Sequence, residues 1–404
     1  MCPGCYKPDH DTYCPNCCKL LFDGKKVSHI LSFDTPADDN LSIFQEKTKR
    51  LSISGVQLKY SLRLEGNELV LTNKGGQYIL KPIPPGIQIA EASQAPENEH
   101  LTMQIASRAF RLDTASNALI YFKDGSPAYI TRRFDVKEDG SKYPQEDMAQ
   151  LSGRSKQTVG ENFKYEGTYE EIGGLISKYV TATIPDLENL FKVVVFNYVM
   201  SNGDAHLKNF SLVQGPMGDY HLSRAYDLMS TVLHMPNESD TALDLYKGDM
   251  NVDNEFYAIH GCYGQPHFRE LGRRLGLMPV RIERILTNVF VISDEVRSMI
   301  SDSFLSEKAK KKYLEAYNKK LKMMGLTKTI IFPYQGDEKD VCLTFIRGEN
   351  ITGRFQSMDK SGVLEKDNKY LFIETDKIEQ YKKTHDPQLL TLVDGDMLVN
   401  IELQ

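Results

Sequence analysis

No apolar run in this 404-residue chain approaches the roughly 20 residues that a bilayer-crossing helix needs, and runs such as Val193 to Phe196 are far too short. That excludes a helical membrane protein. The start, Met-Cys-Pro-Gly-Cys, lacks the basic region and long apolar stretch of a secretory signal, so a cytoplasmic chain without disulfides is expected. Neither sign of charge dominates. Lys and Arg number 49 against 55 Asp and Glu, a net charge of -6, which argues against nucleic-acid binding by bulk electrostatics and leaves room only for a small basic patch. Internal repeats and low-complexity segments are absent as well. Beyond residue 18, cysteine occurs only as Cys262 and Cys342. At roughly 150 residues per domain the length suggests two or three units with an ample core.

What cysteine there is crowds the start: Cys2, Cys5, Cys14, Cys17 and Cys18. Two Cys-x-x-Cys pairs, Cys2/Cys5 and Cys14/Cys17, enclose Pro-Gly and Pro-Asn, which turn tightly enough for two thiolates to meet one tetrahedral ion. Structural zinc fits best, with Cys18 or His10 as substitutes for one ligand; the bland alternative is a tail with idle thiols. So short a segment has little core, so the metal would have to supply most of its folding energy. A closed four-ligand site leaves no open position for chemistry.

Four parts are expected: a zinc knuckle over 1–24, a β-rich lobe over 25–139, a helical lobe over 140–326, and a small all-β module over 327–404. In the second part, alternation from Leu51, a strand at Leu69 to Thr72 and another at Tyr78 to Lys81 lead to a helix opening at Ala95 with apolar positions Leu101, Ile105, Ala109 and Leu112. Strands at Ala118 to Phe122 and Ala128 to Thr131 flank the turn Lys123-Asp124-Gly125-Ser126. Helices are expected at Glu170 to Tyr179, Leu187 to Met200, Phe268 to Gly276, Val280 to Ile300 and Ser303 to Met324. The last carries seven lysines, from Lys308 to Lys322, which most simply form a solvated face. Short strands at Ile330 to Tyr334, Val341 to Ile346, Tyr370 to Glu374 and Leu390 to Val393 make up the tail.

The strongest chemical signal follows the long apolar helix, where Asp204 and Asn209 stand five residues apart in Gly203-Asp204-Ala205-His206-Leu207-Lys208-Asn209. Protein kinases use this D-x-x-x-x-N spacing because one loop must hold a carboxylate beside the incoming hydroxyl while an amide oxygen reaches magnesium. After a strand at Tyr220 to Ser223, Asp227 sits where the metal-binding aspartate belongs. Upstream, Lys81 ends a strand, as a lysine that clamps nucleotide phosphates must, and Glu99 begins the next helix as its ion partner. Singly each has an ordinary explanation, such as a solvated lysine or a helix-start charge favoured by the macrodipole. In this order, and on these elements, coincidence is a poor account.

These residues resemble the HipA-type serine/threonine kinases of bacterial toxin–antitoxin systems, from about Leu51 to Met324. Ser52-Ile-Ser54-Gly55-Val-Gln57-Leu-Lys59 is similar to that family's S-x-x-G-x-Q-x-K gate loop, Ile79-Leu80-Lys81-Pro82 to its nucleotide-lysine strand and Asn98-Glu99 to its N-E helix start. Arg133-Phe134-Asp135 resembles its hinge, Gln145-Glu146-Asp147-Met148 its Q-E-D-M, and Tyr226-Asp227 its metal motif. The Cys-rich start resembles a knuckle of some members in which histidine stands at the position of Cys14. A β-rich subdomain that precedes the gate loop in full-length members is expected to be missing here or to be a separate chain, and the split variants with an S-I-S gate loop are the nearest likeness, because Ser52 and Ser54 reproduce that tripeptide.

The resemblance implies a two-lobed α+β kinase fold and the cofactors ATP and Mg2+ beside the structural zinc. Asp204 would accept the proton of a substrate hydroxyl, Asn209 and Asp227 would hold magnesium, and Lys81 would neutralise phosphate charge. His206 and Tyr226 would border the nucleotide and Phe134 would wall the adenine; Ser52 and Ser54 would be autophosphorylated, with Gly55 bending the gate loop over the phosphates. Its substrates are translation proteins, notably aminoacyl-tRNA synthetases. Its partners are a helix-turn-helix antitoxin and, in split variants, a small β-rich subunit; DNA contact would come only through a partner. Two other classes remain open at this stage, a small-molecule phosphotransferase, which would lack the gate loop, and an inactive kinase-fold scaffold or repressor subunit.

Overall fold

The computed structural model describes residues 1–35, 58–84, 89–137, 139–248, 255–325, 341–345, 350–356, 369–389, 391–394 and 398–403. The gate-loop positions Ser52, Ser54 and Gly55 and the expected strand at 330–334 lie outside them. The chain forms two compact units, one of residues 1–249, 271–277 and 292–320, the other of 250–270, 278–291 and 321–404. Among the described residues no helix is long and apolar enough to cross a membrane.

In the first unit, β1 (Tyr60–Glu65), β2 (Glu68–Leu71), β3 (Tyr78–Pro82), β4 (Asn117–Tyr121) and β5 (Pro127–Arg132) form an antiparallel sheet in the order β2-β1-β3-β5-β4. Side chains alternate between its faces. Leu62, Tyr78, Leu80, Ala118, Ile120, Ala128 and Ile130 are buried on one face, where they join Leu21, Phe22, Val27 and Leu31 from the N-terminal segment. Lys81 and its cross-strand partner Tyr129 take the alternate face, with the Lys81 ammonium 5.4 Å from the Tyr129 ring centre.

The N-terminal segment therefore has a core after all, borrowed from the sheet. Its helix, Pro15–Phe22, starts with Pro15 in the first turn and ends at Asp23 in the left-handed conformation. Tyr13 donates to the Leu119 carbonyl at 2.7 Å, Tyr78 to that of Leu21 at 2.9 Å, and Arg132 grips Asp23 with two bonds of 2.6 and 2.8 Å. Ile30 pairs in parallel with Tyr121, so the segment also covers one edge of the sheet. Metal binding is thus not the sole source of order here.

The helix Ala95–Arg108 stops earlier than its apolar pattern suggests, because Arg111 turns left-handed (φ 56°) and Leu112 N closes back on Ala106 O at 2.9 Å. The helical lobe contains Tyr169–Tyr179 and Thr183–Val199, and a small antiparallel sheet of β6 (Gln145–Asp147), β7 (Ser211–Gln214) and β8 (Tyr220–Leu222). The expected helix over 280–300 is two, Pro279–Val291 and Ser293–Ser301, with Ile292 between them. On the helix Glu307–Gly325, the lysine face is only partly solvated: Lys308 and Lys312 share Glu91 at 2.8 and 2.9 Å, and buried Lys320 reaches Asp240 at 2.5 Å.

The tail in the second unit is an antiparallel sheet of β9 (Val341–Phe345), β10 (Asn350–Gln356), β11 (Lys369–Glu374), β12 (Thr391–Asp394) and β13 (Leu398–Leu403), in the order β12-β11-β10-β9-β13. It is not purely β. The helix Ile378–Thr384 lies between β11 and β12 in the chain, a short polar stretch without the apolar period that would have announced it.

Candidate active site

The kinase-ordered residues meet in the first unit. Lys81, 3 % exposed, makes ion pairs with both Glu99 and Asp227, and Lys59 joins Asp227 from the other side at 3.3 Å. Burial alone would lower the Lys81 pKa, but the two carboxylates override it and push it up to about 12. Burial would raise Asp227, yet Lys59 and Lys81 hold it well below the usual carboxylate range. For Glu99 burial wins, and its pKa rises despite the Lys81 contact. The site thus keeps a permanent cation beside a permanent anion.

Asp227 is held in the left-handed region (φ 58°), a strained conformation for aspartate that its surroundings must enforce. Asn98, beside Glu99, clips the segment that follows: its amide donates to Ser230 O at 2.9 Å, and Ser230 N donates back to Asn98 Oδ1 at 3.2 Å. The N-E pair therefore does two jobs, one residue gripping the lysine and the other the aspartate's loop.

The loop after Thr183–Val199 is shaped by backbone necessity. Ser201 is left-handed (φ 54°), and at Gly203 a Cβ would collide with the Ser239 carbonyl, so only glycine fits before Asp204. Asp204 Oδ1 accepts from the Tyr165 hydroxyl at 2.5 Å, and Asp204 N donates to Asn202 Oδ1 at 3.3 Å. His206 N donates to Asn209 Oδ1 at 3.1 Å, which orients that amide. Asn209, Tyr226 and Asp227 line one small cavity. Tyr226 donates to Lys208 O at 2.9 Å, and the Phe134 ring lies 5.7 Å from its own. Burial pushes His206 down to about 4, so the imidazole is neutral near pH 7. The Q-E-D-M stretch serves the same loop: Asp147 and Gln150 form a capping box, and Asp147 also pairs with Lys208 at 2.7 Å.

Sequence patterns did not single out Lys164 and Tyr165 at this site, nor give Lys59 a role of its own. All three act through tertiary contact; Lys164 and Tyr165 sit in a glycine-flanked stretch with no period to flag them.

The four cysteines converge as expected. Their sulfurs all lie within 4.8 Å of one another, with Cys2–Cys17 at 3.8 Å and Cys5–Cys14 at 3.7 Å. Tetrahedral zinc at about 2.3 Å from each sulfur requires separations of about 3.8 Å, so the donors fit. Cys2 Sγ also accepts from the backbone N–H groups of Gly4 and Cys14 at 3.4 and 3.2 Å. Neither Cys18 nor His10 belongs to the group.

A family model described as the HipA-like C-terminal domain matches residues 51–296. The chain belongs to that family. A protein of Haemophilus influenzae that carries a kinase name is 26% identical over 318 residues, 76% of this chain and 90% of its own length. A second kinase-named relative, Y4dM of Sinorhizobium fredii, is 31% identical over 52% of this chain and 53% of its own. The HipA of Shewanella oneidensis MR-1, solved with HipB and operator DNA, aligns with a TM-score of 0.50 at 20% identity, over 68% of this chain and 64% of that one. This HipA-like chain accordingly has the kinase fold of the HipA type, a β-rich lobe followed by a helical one, with the cysteine cluster at its start.

Proposed function

We propose that this HipA-type kinase is an ATP- and magnesium-dependent serine/threonine protein kinase of a toxin–antitoxin system. The observation that carries the proposal is the buried Lys81 ammonium between Glu99 and Asp227, in one site with the Asp204–Asn209 loop. In this role Asp204 orients an acceptor hydroxyl and takes its proton, Lys81 neutralises charge as it spreads over the phosphoryl oxygens, and Glu99 keeps Lys81 extended. Asp227 and Asn209 offer the hard oxygen donors that magnesium prefers. Bound magnesium-ATP supplies the phosphoryl group and the counter-charge. Neutral His206 shapes the site without competing for the proton, and Phe134 and Tyr226 border the nucleotide.

The substrate class proposed is a translation protein such as an aminoacyl-tRNA synthetase, with gate-loop Ser52 and Ser54 as autophosphorylation sites. A helix-turn-helix antitoxin and a small β-rich subunit are the proposed partners, supported by the solved relative's complex with HipB and DNA. Zinc on Cys2, Cys5, Cys14 and Cys17 would be structural, since the four sulfurs close the coordination shell. Phosphoproteomics after induced expression of wild type and Asp204→Asn tests the proposal. New phosphoserine or phosphothreonine on translation proteins and on Ser52 or Ser54, with wild type alone, is expected; identical phosphoproteomes would overturn it.

A further inference from the structure

The turn Phe163–Tyr165 brings to the Asp204 loop two side chains that the kinase pattern does not contain. The Tyr165 hydroxyl donates to Asp204 Oδ1 at 2.5 Å. Its ring stands edge-on to the His206 imidazole, 5.2 Å between centroids, and the Lys164 ammonium lies 4.9 Å from the centre of the same ring. Four residues on, Tyr169 donates to the Ala205 carbonyl at 3.0 Å. Between these points Thr168 caps the helix Tyr169–Tyr179 by accepting from Glu171 N at 3.1 Å. The segment is thus fastened to the loop at 204 and again at 205, with its end pinned to a helix.

We propose that Tyr165 is a positioning residue for phosphoryl transfer, its hydroxyl holding the Asp204 carboxylate in one orientation. The proposal rests on Asp204 being the residue that receives the acceptor's proton. The terminal torsion of an aspartate is broad and close to two-fold, so little besides a directed hydrogen bond fixes which oxygen faces the acceptor.

The groups around Asp204 make this hydroxyl the one to remove. His206 approaches Oδ1 to 3.9 Å but is neutral near pH 7, so it brings no charge. Lys164 is subject to opposed influences, burial disfavouring its ammonium while Asp204 and Asp227 favour it and Lys208 and Lys59 oppose it. Asp227 is already compensated by Lys59 and Lys81. Tyr165→Phe keeps the ring against His206 and Lys164 and deletes only the donor.

The test measures kcat and KM of phosphate transfer by full-length wild type and Tyr165→Phe with magnesium-ATP, beside thermal unfolding of each. Tyr165→Phe is expected to lower kcat roughly tenfold or more, the cost of a misaimed group, with KM for ATP unchanged. The melting temperature should stay close to that of wild type, because the ring keeps its contacts with His206 and Lys164. A merely structural defect would lower the melting temperature and raise KM for ATP along with the loss of kcat, which would overturn the proposal. So would wild-type kcat in the variant, or a faster variant with lower acceptor KM, since that would make the hydroxyl a plug in the acceptor's place. Failure of the underlying reading shows separately, as full transfer by Asp204→Asn.

Discussion

Replacing Lys81 by methionine removes the cation from a site that is 3 % exposed and takes the Lys81 ion pair from Glu99, 1 % exposed. Breaking a buried pair in this way costs about 3–5 kcal/mol, because the surviving charge stays buried and uncompensated. Two features soften the loss here. Glu99 already has a raised pKa, from burial above all, so it can take a proton instead of remaining charged, and Asp227 keeps Lys59. A loss of about 3 kcal/mol is therefore expected, which for a unit of this size lowers the melting point by roughly 6–12 °C. In Lys81→Met/Glu99→Gln the buried carboxylate charge is gone too, and most of the stability should return, within about 1 kcal/mol of wild type. Activity should not return. Differential scanning fluorimetry near pH 7.5, with radiolabelled phosphate transfer on the same samples, separates the two effects. A single variant as stable as wild type, or a double variant no more stable than the single one, would refute the view of Lys81 as the neutraliser of a buried carboxylate.

Glu97 offers a pH test. Burial raises its pKa from 4.5 to about 7, so between those values the folded state holds a proton that the unfolded state has released, and stability falls as pH rises through that window. Glu97→Gln should match wild type below about pH 4.5 and exceed it by up to about 3 kcal/mol above pH 7, at 1.36 kcal/mol per unit; a difference independent of pH in urea melts would contradict this. Elemental analysis under reducing conditions should find one zinc per chain, and no zinc would count against the cluster. Gly4→Ala should lower that occupancy, since its Cβ would stand 2.7 Å from Cys17 Sγ. Chelation should shift the main unfolding transition rather than melt residues 1–24 separately, because Leu21, Phe22 and the sheet share one core.

The residues of the candidate site were legible because each sits at a local landmark: Lys81 at the end of an apolar strand, Glu99 in the first turns of a helix, Asp204 and Asn209 in one loop, Asp227 just past a strand. What local pattern cannot carry is which charges pair across distance. That Lys59 and Lys81 converge on one aspartate, or that Asn98 clips Ser230, depends on the sheet and helix being placed first. The packing of the cysteine segment was missed for a similar reason. Leu21, Phe22, Val27 and Leu31 form no long periodic run, and their value appears only against Leu80, Ile120 and Ile130. Strands β6 and β7 are three and four residues long, too short for alternation, and their pairing spans more than sixty residues of sequence.

If Asp204 aims and deprotonates the acceptor of a phosphoryl group, Asp204→Asn should separate nucleotide binding from transfer. Magnesium-ATP binding by calorimetry and phosphate incorporation by mass spectrometry are measured on the same preparation. Binding close to that of wild type with transfer lowered by at least about a hundredfold is the predicted result, since a positioned base contributes roughly 10²–10⁴. Transfer undiminished in the variant would rule out Asp204 as that residue.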